Sequence, residues 1–209
     1  MALHYLFLLG ISVEAITGAI AAGRKNMDYF GVIMIGCVAG LGGGTVRDII
    51  FDTHPIPWVE HPYYLLYTSS FALLTIFIPA KVTRAANLFL ILDALGLSAF
   101  TILGVQRLLN HGLPETVAVL GGLLTGISGG MLRDILCNDI PVILRSELYA
   151  VVALSGSILY IILIHLEVPM HLTIVITLLA IFMTRVIAIY SHINVPKFMY
   201  RDSISRGKN

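Results

Sequence analysis

The sequence predicts an all-α membrane protein that crosses the bilayer several times and contains two copies of one unit. Of its 209 residues, 57% are hydrophobic and only 12% are charged, whereas soluble domains are about a quarter charged. The mean hydropathy is +0.91. A glycine-rich segment that begins at Gly40 also returns 86 positions later, at Gly126. Composition therefore predicts the membrane setting, and the recurrence predicts a duplication.

Apolar runs long enough to cross a bilayer as a helix, which takes about 20 residues, occur seven times. They cover residues 3–22, 29–51, 63–80, 87–109, 116–137, 148–166 and 171–190. We interpret the first as a helix and not as a signal peptide, because no Lys or Arg precedes it and Glu14 interrupts it. The seven runs fill almost the whole chain, which leaves no room for a soluble catalytic domain. An enzyme is therefore not expected.

Basic residues near the ends of these runs fall in alternate connections, and such residues favour the cytoplasmic side. They are Arg24, Lys25, Lys81, Arg84, Arg145, Lys197, Arg201, Arg206 and Lys208. We therefore expect the N-terminus outside and the C-terminus in the cytoplasm, in a multi-pass protein of the inner (plasma) membrane.

The duplicated unit contains three predicted spans in each copy. GLGGGTVRDII at 40–50 is repeated as GISGGMLRDIL at 126–136. Because each copy has an odd number of spans, the second copy has the opposite orientation in the membrane. The sequence thus predicts two inverted repeats, 1–86 and 87–168, followed by a seventh helix over 169–192 and a cytoplasmic tail over 193–209. Inverted repeats commonly enclose a transport path between their halves.

Consecutive small residues in the second and fifth spans predict interrupted helices, because each glycine weakens a helix by about 1 kcal/mol relative to alanine. Carbonyls freed at membrane depth must face protein or water, where they and nearby hydroxyls offer ligands to a cation. The candidate pore residues are Gly42, Gly43, Gly44, Thr45, Ser128, Gly129 and Gly130. The alternative is close helix packing, which small residues four positions apart also favour.

An arginine and an aspartate follow each glycine cluster, as Arg47 with Asp48 and as Arg133 with Asp134. Adjacent residues on a helix point in different directions. We therefore expect these charges to pair between the repeats, or with another helix, and not within each dipeptide. The interpretations left open are gating or pore-shaping residues and a structural ion-pair latch.

Two acids, Glu14 and Asp93, lie in the first helix of each repeat, and each is followed by alanine, so they resemble a further related pair. An intramembrane acid indicates a functional site by default, with a structural carboxyl, protonated or paired with arginine, as the alternative. Arg185 is a third intramembrane arginine, unless it extends to the cytoplasmic face.

Other classes of site have little support in the sequence. Cysteines and histidines show no metal-ligand spacing, so neither a metal site, apart from contacts to a permeant cation, nor a cofactor is expected. With a net charge of +1 and no soluble basic patch, nucleic acid is not an expected partner.

The doubled motif GLGGGTVRD and GISGGMLRD, in a chain with seven predicted spans, resembles the prokaryotic TRIC-type family, the trimeric intracellular cation channels and their bacterial relatives. The resemblance implies a homotrimer in membrane lipid. Each protomer would contain its own pore for a monovalent cation such as potassium, lined by glycine-kinked second and fifth helices. Ser128 departs from the triple-glycine pattern of the first copy.

The same duplicated domain is also associated with glycine transport, so a secondary transporter of glycine or a similar small amino acid is the alternative. A carrier would hold the ammonium group on Glu14 or Asp93 and the carboxylate at a helix N-terminus. A channel needs a continuous wet path with weak cation contacts. A third interpretation, a structural membrane protein held by glycine packing, leaves the buried acids without a purpose.

Overall fold

The computed structural model describes residues 2–78, 86–144 and 148–191, and within them the chain is helical without strands. The helices are α1 (Ala2–Arg24), α2 (Tyr29–Ile50), the short α3 (Pro57–Glu60), α4 (Tyr63–Thr75), α5 (Ala86–Asn110), α6 (Glu115–Leu136), α7 (Tyr149–His165) and α8 (Met170–Ser191), with a 3-10 turn at Val142–Leu144. The predicted all-α fold is confirmed.

Five helices among the described residues, α1, α2, α5, α6 and α8, are long and apolar enough to cross a membrane. Helix α7 is apolar but has 17 residues, and α4 has 13. Six of the predicted spans match a helix to within two residues at each end. The predicted span 63–80 begins correctly with α4, but α4 ends at Thr75 and a turn follows over 76–78, while residues 79–80 lie outside the described residues. The count of seven spans therefore stays a prediction.

Helices α2 and α6 end in the same way, 86 positions apart. Asp52 and Asn138 both adopt the left-handed conformation, with φ of 52° and 54°. The N–H of the next residue bonds back to the carbonyl of Asp48 in the first copy and of Asp134 in the second, at 3.0 and 2.9 Å. Left-handed residues commonly terminate helices, because such bonds satisfy carbonyls that the helix leaves open. The two copies thus share backbone detail as well as sequence.

Helices α2 and α6 cross through reciprocal glycine contacts at the centre of the molecule. A Cβ atom on Gly43 would lie 2.5 Å from the carbonyl oxygen of Thr125, and one on Gly129 would collide with the carbonyl oxygen of Ala39. Thr125 corresponds to Ala39, and Gly129 to Gly43, at the offset of 86. Because the later residue of one helix meets the earlier residue of the other, the helices run antiparallel about an approximate twofold axis.

Contacts between connections place the helix ends in two groups. Lys25 forms a 2.8 Å ion pair with Asp139, which joins the connections after α1 and α6. At the other end, Arg107 donates a 2.7 Å hydrogen bond to the carbonyl of Pro55. This grouping agrees with the predicted alternation of connections, whereas the orientation in the membrane stays a prediction. The basic residues Lys81, Arg84, Arg145, Lys197, Arg201, Arg206 and Lys208, and the tail 193–209, lie outside the described residues.

Candidate functional site

The glycine clusters lie inside helices that continue without interruption. Helix α2 passes through Gly42, Gly43 and Gly44, and α6 passes through Ser128, Gly129 and Gly130. The predicted helix breaks at these residues are therefore wrong. The absence of side chains serves close helix approach instead, because Gly43 and Gly129 let the backbones of α2 and α6 touch.

The glycines next to this crossing have different neighbours. A Cβ on Gly44 would lie 3.7 Å from Arg47 Nη2, and one on Gly130 would lie 3.5 Å from Arg133 Nη2 and 3.4 Å from the Tyr149 hydroxyl. These are ordinary packing distances. Only one glycine of each copy therefore lies at the backbone crossing, while the next in the sequence lies beside the arginine.

The two candidate hydroxyls are bonded to their own helices. Ser128 Oγ donates to the carbonyl of Leu124 at 2.6 Å, and Thr45 Oγ1 donates to the carbonyl of Leu41 at 2.8 Å. Thr45 Oγ1 also accepts a 2.9 Å hydrogen bond from the indole N–H of Trp58. Ser128 is buried, while Thr45 is half-buried.

Arg133 lies at the centre of a buried ion cluster. Its Nε donates to Asp134 Oδ1 at 2.9 Å, and its Nη1 lies 2.9 Å from Asp93 Oδ1 and 3.5 Å from Glu14 Oε2. The hydroxyl of Thr17 accepts from the same Nη1 at 3.1 Å. Every member is less than a tenth exposed. Such an arrangement offsets the loss of hydration of each charge with hydrogen bonds from its neighbours.

Pairing within each Arg-Asp dipeptide corrects the sequence prediction. Arg47 Nε and Nη2 both lie 2.8 Å from Asp48 Oδ1, and Arg133 Nε lies 2.9 Å from Asp134 Oδ1. The expectation that adjacent residues would not pair was wrong, because the long arginine side chain folds back over the next residue. The expectation of partners on other helices holds for Arg133, through Asp93 and Glu14. It also holds for Asp48, because Arg107 Nε on α5 lies 3.8 Å from Asp48 Oδ1.

The aspartate of each dipeptide also fixes the segment after its helix. Asp48 Oδ1 accepts a 2.6 Å hydrogen bond from Thr53 Oγ1, and Asp134 Oδ2 accepts from the N–H of Val142 at 3.0 Å. Among the described residues, a small recess lies beside Arg133, and it has no room for a water molecule. The Arg133 end of the site is therefore filled.

Arg47 instead borders a cavity of about 300 Å³ between the first half of α1 and the second halves of α2 and α5. Its lining includes Phe7, Gly44, Thr45, Arg47, Phe100 and Thr125. Exposed Glu60 on α3 also lines the cavity.

The packing of α1 on α5 shows which residues correspond in the two copies. Gly10 packs against the ring of Phe100, and Gly96, its counterpart at the offset of 86, packs against the carboxylate of Glu14. Glu14 therefore corresponds to Phe100, and by the same offset Asp93 corresponds to Phe7. The sequence suggested that Glu14 and Asp93 are a related pair, because their neighbours are similar. The structure shows that they do not occupy equivalent positions in the two copies.

By these correspondences, the cavity beside Arg47 in the first copy occupies the position that the ion cluster around Arg133 occupies in the second copy. Arg133 has two carboxylates, from Asp93 and Glu14, where Arg47 has the rings of Phe7 and Phe100. The backbone of the site is thus approximately symmetric, but its side chains differ. The end at Arg133 is filled and ionic, and the end at Arg47 is open and aromatic.

The family model described as Glycine transporter matches this sequence twice, over residues 4–80 and 90–165. The chain belongs to this glycine transporter family. The two matched ranges lie inside the predicted repeats 1–86 and 87–168, and they begin 86 positions apart.

Two relatives are described as UPF0126 membrane proteins. The chain is 37% identical to the UPF0126 inner membrane protein YadS of Escherichia coli K12, over 95% of this chain and 97% of that one. It is 35% identical to a UPF0126 membrane protein of Vibrio cholerae, over 76% of this chain and 66% of the relative.

Solved structures with the same fold are TRIC channels. The TRIC trimeric intracellular cation channel orthologue from Rhodobacter sphaeroides superimposes with a TM-score of 0.86 and 35% identity, covering 92% of this chain and 99% of that one. A structure described as the structural basis for conductance through TRIC cation channels gives a TM-score of 0.84 at 29% identity, over 97% of this chain and all of the other. The resemblance to the TRIC-type family is confirmed.

Several residues of the site were not predicted from the sequence. Phe7, Phe100 and Thr125 have no distinctive chemistry, yet they form the cavity wall next to Arg47. The available signal was the offset of 86, which assigns aromatic counterparts to the two acids. Arg185 is buried, with its guanidinium 4.7 Å from the centre of the Tyr149 ring, so it does not extend to the surface. Among the described residues, His, Cys, Asp and Glu form no group that could hold a metal.

Proposed function

We propose that this protein is a potassium-permeable channel for monovalent cations, with one pore between the two inverted repeats of each protomer. The observation that carries the proposal is the fold, which matches TRIC cation channels at TM-scores of 0.83 to 0.86 over more than nine-tenths of the chain. Identities of 28 to 35% support more than a shared architecture. The proposal includes a homotrimer in the inner membrane, with the N-terminus outside and the C-terminus in the cytoplasm.

The proposed path begins in the cavity beside Arg47, passes the crossing of Gly43 and Gly129, and reaches the cluster around Arg133. At the entrance, Asp48 lies between Arg47 and Arg107 and offsets one of their two positive charges, while Glu60 adds a second carboxylate at the exposed side of the cavity. Gly42, Gly44, Thr45, Ser128 and Gly130 belong to the same central stretch of the two helices. This stretch would provide several weak contacts, as conduction requires.

We propose that the Arg133 cluster is the gate and that the described arrangement is the closed form. Arg133 holds the carboxylates of Glu14 and Asp93, and the recess beside it is filled. Movement of Arg133 away from these acids would open space and present two carboxylates to the path. Negative groups in a narrow passage attract cations. Asp134 would stay as the link between Arg133 and the segment after α6.

Current across a planar bilayer that contains the purified protein, under a potassium chloride gradient, tests the channel proposal. We expect discrete current steps that reverse near the potassium equilibrium potential and do not require glycine. Gly43→Ala should reduce the current, because the added methyl group meets the Thr125 carbonyl at the crossing. Gly44→Ala, one residue further, is the matched control. Equal currents from both variants would remove the crossing from the path.

The alternative, a carrier of glycine or a similar amino acid, has support in the family description. It places the substrate ammonium group on Glu14 or Asp93, but both acids lie within 3.5 Å of Arg133 Nη1, and the recess beside Arg133 has no room for a substrate. A silent bilayer, together with saturable glycine uptake into liposomes from the same preparation, would favour the carrier.

A further inference from the structure

The cavity beside Arg47 lacks the carboxylates that fill its counterpart in the second copy. There, Arg133 Nη1 binds Asp93 at 2.9 Å and approaches Glu14 at 3.5 Å. We propose that the Arg47 cavity binds a small carboxylate ligand, whose carboxylate takes the place on Arg47 that Asp93 and Glu14 occupy on Arg133. The second copy thus shows, between Arg133 and its two acids, the arginine–carboxylate contact that a ligand would make with Arg47 in the first copy.

The free edge of Arg47 supports an anionic ligand. Asp48 occupies Nε and Nη2 of Arg47 through one oxygen. Nη1 has only a long contact, 3.5 Å, to Thr125 Oγ1. The Arg47 side chain is 5% exposed. A guanidinium with little access to bulk water and an open donor edge binds carboxylates strongly, because charge-assisted hydrogen bonds are worth more where water competes less.

The charge of the inner cavity also favours an anion. Arg107 lines the cavity, and its Nε lies 3.8 Å from Asp48 Oδ1, so two guanidinium groups share this one buried carboxylate. The remaining acid that lines the cavity among the described residues, Glu60, is exposed. A bound carboxylate would balance the second guanidinium.

The walls indicate the rest of the ligand. Phe7, Trp58, Tyr64 and Phe100 line the cavity, whose volume is about 300 Å³, the lower end of the range for small-molecule sites. Such walls favour a compact apolar body behind the carboxylate. Cyclohexanecarboxylate has both features and does not absorb where tryptophan emits. Binding of this kind does not depend on whether the chain conducts cations.

Tryptophan fluorescence offers a direct measurement, because the chain has one tryptophan and Trp58 lines the cavity. Purified full-length protein in detergent is titrated with cyclohexanecarboxylate and, separately, with the uncharged cyclohexanecarboxamide. We expect a saturable change with the carboxylate and binding of the amide weaker by roughly tenfold or more, the loss expected for one charged hydrogen bond. Equal affinities for the two compounds would overturn the proposal.

Replacement of Phe100 provides a matched pair of variants. Phe100→Glu places a carboxylate where Glu14 lies in the other copy, so it should bind Arg47 and abolish ligand binding. Phe100→Gln has the size of glutamate without the charge. It should bind both compounds more weakly, because a ring is lost from the wall, but should keep the preference for carboxylate over amide. Size-exclusion elution and the thermal unfolding midpoint establish that both variants fold.

Two further results would contradict a carboxylate site. One is loss of binding in Phe100→Gln as complete as in Phe100→Glu, since the ring and not the charge would then matter. The other is saturable binding of inorganic phosphate without binding of the carboxylate, which would assign the cavity to phosphate groups such as those of lipids.

Discussion

Arg47 and Arg133 occupy the same place in two copies of one unit, yet their surroundings differ in kind. Arg133 has three carboxylates within 3.5 Å and a filled recess, whereas Arg47 has Asp48 and an aromatic cavity. The backbone is shared, down to the left-handed residue that ends each helix. The comparison teaches that a duplicated scaffold can hold a filled, ionic end and an open, aromatic end through side-chain differences, with acids at one end in the positions that Phe7 and Phe100 occupy at the other.

The two ends differ because each buried arginine obtains the partners for its charge in a different way. A guanidinium removed from water needs compensating partners, and it is retained only where they are present. In the second copy the protein provides them from α1 and α5. In the first copy Phe7 and Phe100 cannot, so the partners are Asp48, the solvent that reaches the cavity and, by our proposal, a ligand.

The largest expected effect is that of Arg133→Met. This change leaves Glu14, Asp93 and Asp134 buried without a cation, which should lower the free energy of unfolding by about 3 to 5 kcal/mol. Thermal or denaturant unfolding of the purified protein in detergent measures the loss.

Arg47→Met is the matched comparison for that change. It removes the same group, but Asp48 keeps Arg107 Nε at 3.8 Å and lies beside a cavity that admits water, so the effect should be clearly smaller. An equal loss in the two variants would show that the ion cluster does not distinguish the two ends.

The next largest effect concerns the crossing, where the two copies behave alike. Gly43→Ala and Gly129→Ala should each destabilise the protein by about 1 to 3 kcal/mol, because the added Cβ meets a carbonyl oxygen of the facing helix. Backbone cannot yield as a flexible side chain can. Unfolding of the two single variants tests this expectation.

Gly44→Ala and Gly130→Ala are the controls for the crossing, since a Cβ there meets nothing closer than 3.7 and 3.4 Å. These variants should unfold at or slightly above the wild-type midpoint, because alanine favours a helix by about 1 kcal/mol over glycine. If Gly44→Ala were as damaging as Gly43→Ala, helix flexibility and not close approach would be the role of the cluster.

The sequence predicted the helices and the duplication well, because apolar runs of membrane length and a repeated motif are direct signals. It predicted the wrong local geometry at Gly42 to Gly44, since a run of glycines is equally compatible with a broken helix and with a tight crossing. Which of the two occurs depends on the facing backbone near Thr125, 80 or so positions away.

The site was less predictable than the fold. Arg47, Asp48, Arg133 and Asp134 were found because charge in an apolar segment is conspicuous, but their pairing depends on how the arginine side chain folds. The cavity was not predicted, because phenylalanine in a membrane helix is ordinary. Only the offset of 86, which aligns Phe100 with Glu14 although the two residues are chemically different, would have indicated the cavity.

A smaller difference is expected at the tyrosines that begin α4 and α7. Tyr149 is buried and lies under the Arg185 guanidinium, 4.7 Å from ring centre to carbon, whereas its counterpart Tyr63 is 51% exposed. Tyr149→Leu keeps an apolar side chain but removes the ring, and should lower the free energy of unfolding by about 2 kcal/mol.

Tyr63→Leu should lower the free energy of unfolding less, because the half-exposed ring packs on Tyr64, 4.3 Å between ring centres, and meets no buried cation among the described residues. Equal behaviour of the two variants would mean that Tyr149 contributes only apolar area. The comparison thereby separates the cation–π contact from the general apolar contacts of the helix.

The smallest expected effect is that of Thr45→Val, which makes the first copy resemble the second, where Met131 occupies the corresponding position. Valine keeps the shape of threonine but removes the oxygen that accepts the 2.9 Å hydrogen bond from Trp58. The loss should be about 1 kcal/mol, the usual value of one hydrogen bond, together with a shift in the emission of the single tryptophan. Thr184→Val is the control, since exposed Thr184 donates only to the Ala180 carbonyl of its own helix. A shift in Thr45→Val without loss of stability would mean that water in the cavity replaces the hydroxyl, which is possible only at the open end.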